Sequence, residues 1–201
     1  MTLYTLYSDF DHFAVIGYDE NQIVRLCGKT PRDRFDFLGV PRPYKDILTE
    51  PLTIDFSDNS DGLAGIAIPD IQVFHGRMFL SERACNVLKN LIQNDGELIP
   101  VVYEKGDGYI FNPLSVAETV DGLDASRCIK NEWGDIENIG FYEDRVSVYA
   151  IFKTKFDTYI NFYCREDVKM AIENAKLKGV VITPELGARF GMTQNQKYSP
   201  N

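Results

Sequence analysis

Few residues of this chain have the type and spacing that catalysis needs, and none forms a common catalytic motif. The most motif-like triplet is Ser81-Glu82-Arg83, which opens an amphipathic segment. With Glu82 or His75, Ser81 could serve a small hydrolase or transferase, and a helix start here could bind an anion. In the structural interpretation, Ser81 caps the helix, the helix dipole stabilises the negative charge of Glu82 in the first turn, and Arg83 reaches a neighbouring segment. We favour the structural interpretation and predict no catalytic residues.

A strand followed by an amphipathic helix occurs twice in the sequence. The first copy covers residues 78–88 and the second 162–172, and a β-rich run follows each, at 98–103 and 180–183. Where the first copy has its Ser-Glu-Arg triplet, the second has Arg165-Glu166-Asp167 and keeps only the central glutamate. A catalytic triplet would tolerate this change poorly, whereas a helix start would tolerate it well. The pair therefore predicts two helices that brace one sheet.

The pattern of the whole chain predicts an α+β fold. We expect a largely antiparallel sheet, the two helices of the repeat and a β-rich N-terminal lobe. The lobe, made of short strands and loops, is expected at residues 1–67, because prolines and glycines interrupt this part of the chain. A core is expected at 68–190. The polar segment 191–201 is predicted to be a disordered tail.

Aromatic residues are concentrated in the second half of the chain, where the sequence predicts strands at 126–133, 136–142, 146–153 and 158–163. Aromatic side chains bury large apolar areas, so this row, with Trp133 among its members, is expected to form the core face of the sheet. The functional surface is then expected to lie outside the row.

Composition favours a soluble globular protein. The chain has 201 residues, of which 44% are hydrophobic and 25% charged. No apolar run approaches the roughly 18 residues that span a membrane. The first residues lack the basic and apolar regions of a secretory signal, which predicts a cytoplasmic location. The four cysteines are not spaced like metal or redox pairs, so free thiols are expected, with no metal and no cofactor.

The chain is acidic, with 30 acidic against 21 basic side chains and a formal net charge of -9. This balance argues against nucleic-acid binding, which depends on lysine and arginine, and favours a basic partner. Runs of acidic residues are commonly solvated turns, and the functional alternative is a negative surface that docks a positive partner. Three acidic clusters supply the candidate partner-binding residues: Asp55, Asp58 and Asp61; Glu132, Asp135 and Glu137; Glu143 and Asp144. The first cluster lacks the spacing of a calcium-binding loop.

Several segments resemble a bacterial family when they are taken in order. They are Pro69-Asp70-Ile71, the helix start at 78–83, the Asn-Pro-Leu strand at 109–114, the segment 120–124, and the second strand and helix at 162–179. Together they are similar to the Myxococcus-type immunity proteins of polymorphic toxin systems, over residues 68–185. The resemblance implies an inhibitor without catalytic activity or membrane partner, which is made beside a cognate toxin and binds it. With the acidic charge, it predicts a basic toxin that acts in the cytoplasm, such as a nuclease.

Two other classes of function stay open at this point. A hydrolase or transferase would require Ser81, Glu82 and His75 to converge in a pocket. A ligand-binding regulatory domain would require a closed apolar pocket that is lined by some of the aromatic residues. Each alternative therefore makes a geometric demand that a structure can address.

Overall fold

A computed structural model of the chain describes residues 2–57 and 67–187, so the predicted tail at 191–201 lies outside the described residues. Strands cover much of the described chain. In chain order they are β1 (Leu3–Ser8), β2 (Val15–Tyr18), β3 (Leu52–Ser57), β4 (Ile71–Phe74), β5 (Arg77–Ser81), β6 (Gly96–Tyr103), β7 (Gly106–Pro113), β8 (Ile129–Lys130), β9 (Ile136–Asn138), β10 (Ile151–Phe152), β11 (Phe162–Arg165) and β12 (Val180–Thr183).

The described residues form fewer helices than strands. The helices are α1 (Glu20–Cys27), α2 (Glu82–Ile92), α3 (Glu143–Val146) and α4 (Glu166–Asn174), with short 3-10 helices at Ala117–Val120 and Ala125–Arg127. Among the described residues, no helix combines the length and the apolar character that crossing a bilayer requires.

The strands form two main sheets and one separate hairpin. The six-stranded sheet has the order β2-β3-β6-β7-β5-β4, the four-stranded sheet has the order β10-β11-β1-β12, and β8 pairs with β9. Strands β3 and β6 are parallel, whereas the other neighbours within these sheets are antiparallel. The predicted α+β class and the largely antiparallel pairing are confirmed. The expectation that both copies of the repeat brace one sheet is wrong, because β5 and β6 belong to the six-stranded sheet and β11 and β12 to the four-stranded one. Strand β1 lies in one sheet and β2 and β3 in the other, so the N-terminal strands contribute to both.

The repeated unit has the same topology in both copies. Helix α2 connects β5 to β6, and helix α4 connects β11 to β12. In each case the two connected strands flank a third, which is β7 in the first unit and β1 in the second. The connected strands are antiparallel to this central strand and therefore run parallel to one another, as a strand-helix-strand crossover requires.

Both helices of the repeat bury their apolar faces in one core cluster. Leu88 and Ile92 of α2 lie in it with Val168 and Ile172 of α4, and each is at most 3% exposed. The periodicity that predicted the two helices is confirmed, because the residues at helical spacing are those that pack. The same cluster takes Phe111, Phe162 and other side chains from one face of each sheet.

The Ser81 triplet caps a helix and joins the two units. Ser81 Oγ accepts a hydrogen bond from the Ala84 N–H at 3.2 Å and donates one to Asp70 Oδ1 at 3.1 Å. Arg83 Nη1 donates to Asp70 Oδ2 at 3.2 Å, and its Nη2 donates to the Ala175 carbonyl at the end of α4. Asp70 and Arg83 therefore fix the start of α2 against the end of α4.

Helix α1 corrects the expectation that the N-terminal segment holds only strands and loops. The Asp19 carboxylate accepts hydrogen bonds from the N–H groups of Asn21 and Gln22 at 2.9 and 3.1 Å, which caps the helix start. Ile23 packs into the core of the six-stranded sheet, and Gly28 ends the helix with a φ of 90°. The helix is only eight residues long, about two turns, so its apolar residues repeat too few times to distinguish a helix from a short strand by sequence.

The four strands predicted in the second half of the chain are all shorter than expected. Within 136–142 only Ile136–Asn138 forms a strand, and within 158–163 only the last two residues do so. Within 146–153, only Ile151–Phe152 forms a strand, because α3 continues to Val146. Within 126–133, only Ile129–Lys130 does so. There the Asp124 carboxylate accepts hydrogen bonds from the Ser126 N–H and hydroxyl at 3.1 and 2.6 Å, which starts a short 3-10 helix instead.

Two buried basic side chains hold a loop between the sheets. Arg77 Nη1 donates to the Leu38 carbonyl at 3.0 Å, and Lys153 Nζ donates to the Gly39 carbonyl at 2.8 Å. Arg77 also lies over the Phe35 ring, with 4.1 Å between guanidinium carbon and ring centroid. Lys153 is fully buried, and burial together with the Arg77 charge lowers its pKa to about 6. Burial of the two basic groups is therefore costly at this joint.

Candidate functional site

A structured turn joins β8 to β9. Asn131 Oδ1 accepts hydrogen bonds from the Trp133 N–H at 3.0 Å and from the Asp135 N–H at 2.8 Å. The Asn131 N–H donates to the Asp135 carbonyl at 2.9 Å, and the Gly134 N–H donates to the Asn131 carbonyl at 3.0 Å. These bonds hold residues 131–135 in one conformation, so a partner would meet a largely preorganised turn.

Trp133 projects from this turn and is 78% exposed. This corrects the expectation that it lies on the core face of the sheet. The residue belongs to the turn and not to a strand, so no sheet face directs its side chain inward. Ile129, on β8, is 50% exposed. The strongest candidate anchor for a partner was therefore missed, because its aromatic type favoured burial.

The predicted acidic residues fall on three separate elements. Glu132, Asp135 and Glu137 are brought together on the β8–β9 hairpin and flank Trp133 in sequence. Asp55 is exposed on β3 of the six-stranded sheet, so the structure does not place it on this hairpin. Two further predicted residues, Asp58 and Asp61, lie outside the described residues.

The last predicted acidic pair lies at the start of α3. Glu143 and Asp144 lie in its first turn and are exposed. The helix dipole stabilises negative charge at this end of a helix. Tyr142 precedes them and is 41% exposed, with the Arg145 guanidinium carbon 4.7 Å from its ring centroid. This pair therefore has a local structural explanation at the start of the helix.

A cleft of about 410 Å³ opens beside the hairpin. Gly134, Asp135 and Ile136 contribute to one side, and the segment around Asp157 contributes to the other; further lining residues include Tyr7, Lys130, Phe156, Thr158, Ile160 and Asn161. Lys130 Nζ lies over the Phe156 ring, 4.6 Å from its centroid. The cleft therefore combines carboxylates, neutral polar groups and one aromatic face that already carries a cation.

Asp157 is the most buried acidic group of this cleft, at 4% exposed. Tyr163 Oη donates a hydrogen bond to its Oδ2 at 2.8 Å, whereas its Oδ1 is buried and has no hydrogen-bond partner among the described residues. Burial raises the pKa of Asp157, although Tyr163 and Asn161 act in the opposite direction. Burial also raises the pKa of Tyr7, to about 12. No described cation forms an ion pair with Asp157, although its charge acts on the buried Lys153.

The backbone beside Asp157 adopts an unusual conformation. Thr158 and Tyr159 have φ values of 59° and 63°, in the left-handed region that β-branched and bulky residues disfavour. The Thr158 N–H donates to the Lys155 carbonyl and the Tyr159 N–H donates to the Thr154 carbonyl, both at 3.0 Å. These bonds hold the cleft wall in a shape that costs conformational energy.

Ser81, Glu82 and His75 do not converge in a pocket. Ser81 stands at the end of β5, whereas His75 occupies the turn before that strand. A strand rises roughly 3.3 Å per residue, so β5 alone separates the two by more than 10 Å. His75 instead stacks on Phe74 with ring centroids 4.0 Å apart, and its Nδ1 lies 2.7 Å from the Asp36 carbonyl oxygen.

The aromatic residues of the four-stranded sheet pack on each other. Phe141 contacts Phe152 and Tyr163 in edge-to-face arrangements, with centroid distances of 5.1 and 4.9 Å. Phe141, Phe152 and Tyr163 lie in one core cluster, and none of the three lines the cleft. Among residues 2–57 and 67–187, no group of three or more His, Cys, Asp or Glu side chains is arranged to hold a metal ion. The four cysteines are free thiols, with Cys85 and Cys164 buried.

No protein-family model matches the chain, and a search of curated proteins finds no match. The functional argument therefore rests on the geometry of the hairpin and its cleft.

Proposed function

We propose that this chain is an immunity protein that binds and neutralises a cognate toxin. The observation that carries the proposal is Trp133, 78% exposed on a hydrogen-bonded turn and flanked by Glu132, Asp135 and Glu137. Tryptophan is enriched among the residues that dominate binding energy at protein–protein interfaces. The resemblance of residues 68–185 to the Myxococcus-type family supports the same function.

Inhibition by binding suits the rest of the molecule. A stable protein–protein interface buries roughly 1,600 Å² in total and needs a few anchors within a larger complementary surface. It needs no reactive group, and the hairpin supplies one aromatic anchor with charged residues around it. A turn that is fixed before binding loses little conformational entropy on association, which favours affinity.

The partner is a basic toxin that acts in the cytoplasm, and a nuclease is the class that best fits. Nucleases bind phosphates through lysine and arginine, so a surface that covers such a site should be acidic. The net charge of -9 and the hairpin carboxylates provide this complementarity. Charge of this kind mainly accelerates association and fixes orientation.

Co-expression tests the proposal. The product of the gene adjacent to the one that encodes this chain is expressed in a bacterial host, with and without the chain, and growth is followed. Rescue of growth by the chain is expected, and rescue by Trp133→Ala is expected to be weaker at matched protein levels. If the neighbouring product is toxic and the intact chain gives no rescue, the proposal is wrong.

Salt dependence tests the electrostatic part separately. Association of the chain with the purified toxin should slow as ionic strength rises, because salt screens the attraction between exposed charges. An acidic toxin, or an association rate that does not depend on salt, would remove the electrostatic argument and leave the Trp133 anchor in place.

A further inference from the structure

The cleft beside the hairpin has more negative than positive charge. Asp135 and Asp157 both line it, whereas Lys130 is the basic residue of the lining and lies over Phe156. Asp157 is 4% exposed and forms no ion pair with a described residue, and the groups that stabilise its charge, Tyr163 and Asn161 among them, are neutral hydrogen-bond donors. A buried carboxylate without a cation is costly, and a cation from outside would offset that cost.

We propose that this cleft receives a basic side chain of the partner, arginine in the first instance, with Asp157 as its main carboxylate contact. The proposal rests on the proposed function and deepens it, because it names the partner group that enters the site. Arginine suits the cleft better than lysine, because its planar guanidinium can contact a carboxylate and an aromatic ring at the same time.

The lining offers the other contacts that a guanidinium needs. Asn161 and Thr158 carry side-chain oxygens that accept hydrogen bonds, and Asp135 adds a second carboxylate at the hairpin side. The Phe156 ring already holds the Lys130 ammonium at 4.6 Å, which shows that a cation is accommodated there. The arriving guanidinium would displace Lys130 or share the ring with it.

The position of the cleft links it to Trp133. Gly134 and Asp135, which follow Trp133 directly, belong to the lining. Ile160 also lines the cleft and is 57% exposed. A partner would therefore present an apolar patch to Trp133 and a basic side chain close to it, which is the pattern of a charged residue beside a hydrophobic anchor.

The probe that tests the proposal is N-acetyl-arginine amide, compared with the N-acetyl-citrulline amide that has the same shape but no charge. Each is titrated into the isotopically labelled full chain, and backbone amide shifts are followed by NMR. The arginine probe should shift the amides of Asp157, Thr158 and Asn161 in a saturable way at millimolar concentration, and citrulline should not.

Three variants make the test specific. Asp157→Asn keeps an oxygen that accepts from Tyr163 but removes the charge, and should weaken the arginine probe roughly tenfold. Lys130→Met removes a competing cation and should strengthen it. Glu137→Gln makes the same charge change as Asp157→Asn on a hairpin residue outside the cleft lining, and should leave the affinity within about twofold. If Asp157→Asn fails to fold, Asp135→Asn takes its place with the same expected direction.

Equal shifts with arginine and citrulline, no saturable shifts with either, or equal binding by Asp157→Asn and the intact chain would overturn the proposal. None of these outcomes touches the rescue of growth in co-expression. If the chain rescues growth but does not bind the arginine probe, the proposed function stands and the proposal for the cleft is wrong. If the chain binds the probe but does not rescue growth, the cleft is a guanidinium site and the proposed function is wrong.

Discussion

The repeated units and the β8–β9 hairpin use the same kinds of side chain in opposite ways. The units bury Phe79, Phe162 and Tyr163 completely or almost completely, whereas the hairpin leaves Trp133 78% exposed. In the units, Asp70 joins α2 to α4 through hydrogen bonds, whereas the hairpin presents its carboxylates toward solvent and a cleft. The contrast supports the proposal that the repeat is a scaffold and that the hairpin, the element inserted between its copies, carries the binding surface.

The two units also differ from each other at the helix start. Ser81 accepts the Ala84 N–H, but at the equivalent position Arg165 makes no side-chain cap. Arg165 instead forms an ion pair with Asp167 and donates to the Ser147 carbonyl at 2.9 Å. Each unit therefore fixes the junction of strand and helix by its own local contacts, while the topology is shared.

The largest stability effect is expected from breaking the scaffold core. Leu88→Ala removes a fully buried side chain of α2 from the cluster shared by α2 and α4. The free energy of unfolding should fall by about 2 to 5 kcal/mol, because apolar burial is lost and a cavity is left. Urea denaturation measures the change. Met170→Ala on α4, where the side chain is 50% exposed, is the control and should stay within about 0.5 kcal/mol.

A smaller and opposite effect is expected at the buried Lys153. Lys153→Met should raise the free energy of unfolding at neutral pH by about 1 to 3 kcal/mol, since a costly buried amine is replaced by an apolar side chain of similar length. The lost hydrogen bond to the Gly39 carbonyl limits the gain. Lys130→Met, on the hairpin, makes the same chemical change at an exposed position and should alter stability little.

The pH dependence distinguishes burial of charge from simple repacking at Lys153. Between a folded pKa of about 6 and the ordinary lysine value of 10.5, the unfolded chain binds a proton that the folded chain lacks. The contribution of Lys153 to stability therefore rises with pH across this window, by up to about 1.4 kcal/mol per pH unit. Arg77 and Asp157 are the charged groups that act on it. The free energy of unfolding of Lys153→Met, measured by denaturation at each pH, should rise less steeply with pH than that of the intact chain. An unchanged slope would contradict a lowered pKa for Lys153.

The smallest effect is expected at the helix cap that distinguishes the two units. Ser81→Ala removes the acceptor for the Ala84 N–H and the hydroxyl that donates to Asp70. Unfolding free energy should fall by about 1 kcal/mol. Ser81→Thr keeps a hydroxyl and should recover most of that loss. A loss of toxin neutralisation by Ser81→Ala at unchanged stability would show that the triplet belongs to the binding site after all.

The sequence predicts the repeat well because its signals are local. The spacing of Val87, Leu88 and Leu91, the serine before the helix and the alternation in the strands all act within a few residues. The pairing of the strands, in contrast, has no local signal in the sequence. Strand β1 pairs with β11 and β12, and nothing in Leu3–Ser8 indicates which distant segment will lie beside it. The division of the strands between two sheets is therefore seen only in the structure.

The sequence predicts only the part of the candidate site whose signals are local. The carboxylates Glu132, Asp135 and Glu137 are visible as a run in the sequence, and the structure places them on one hairpin. Trp133 was assigned to the core because aromatic residues are usually buried, although Asn131 and Gly134 beside it are typical of a turn. Asp157 gave no local signal, because its importance depends on burial and on the cleft that the hairpin forms with a later segment.

The most direct test of the division between scaffold and binding element is the affinity for the purified toxin, measured by calorimetry for the intact chain, Trp133→Ala and Met170→Ala. Trp133→Ala should weaken binding by at least about 2 kcal/mol, roughly 30-fold, with the free energy of unfolding unchanged within about 0.5 kcal/mol. Met170→Ala, an exposed apolar residue of the repeat, should bind as the intact chain does. If Met170→Ala weakens binding and Trp133→Ala does not, the binding surface lies on the repeat and the account is wrong.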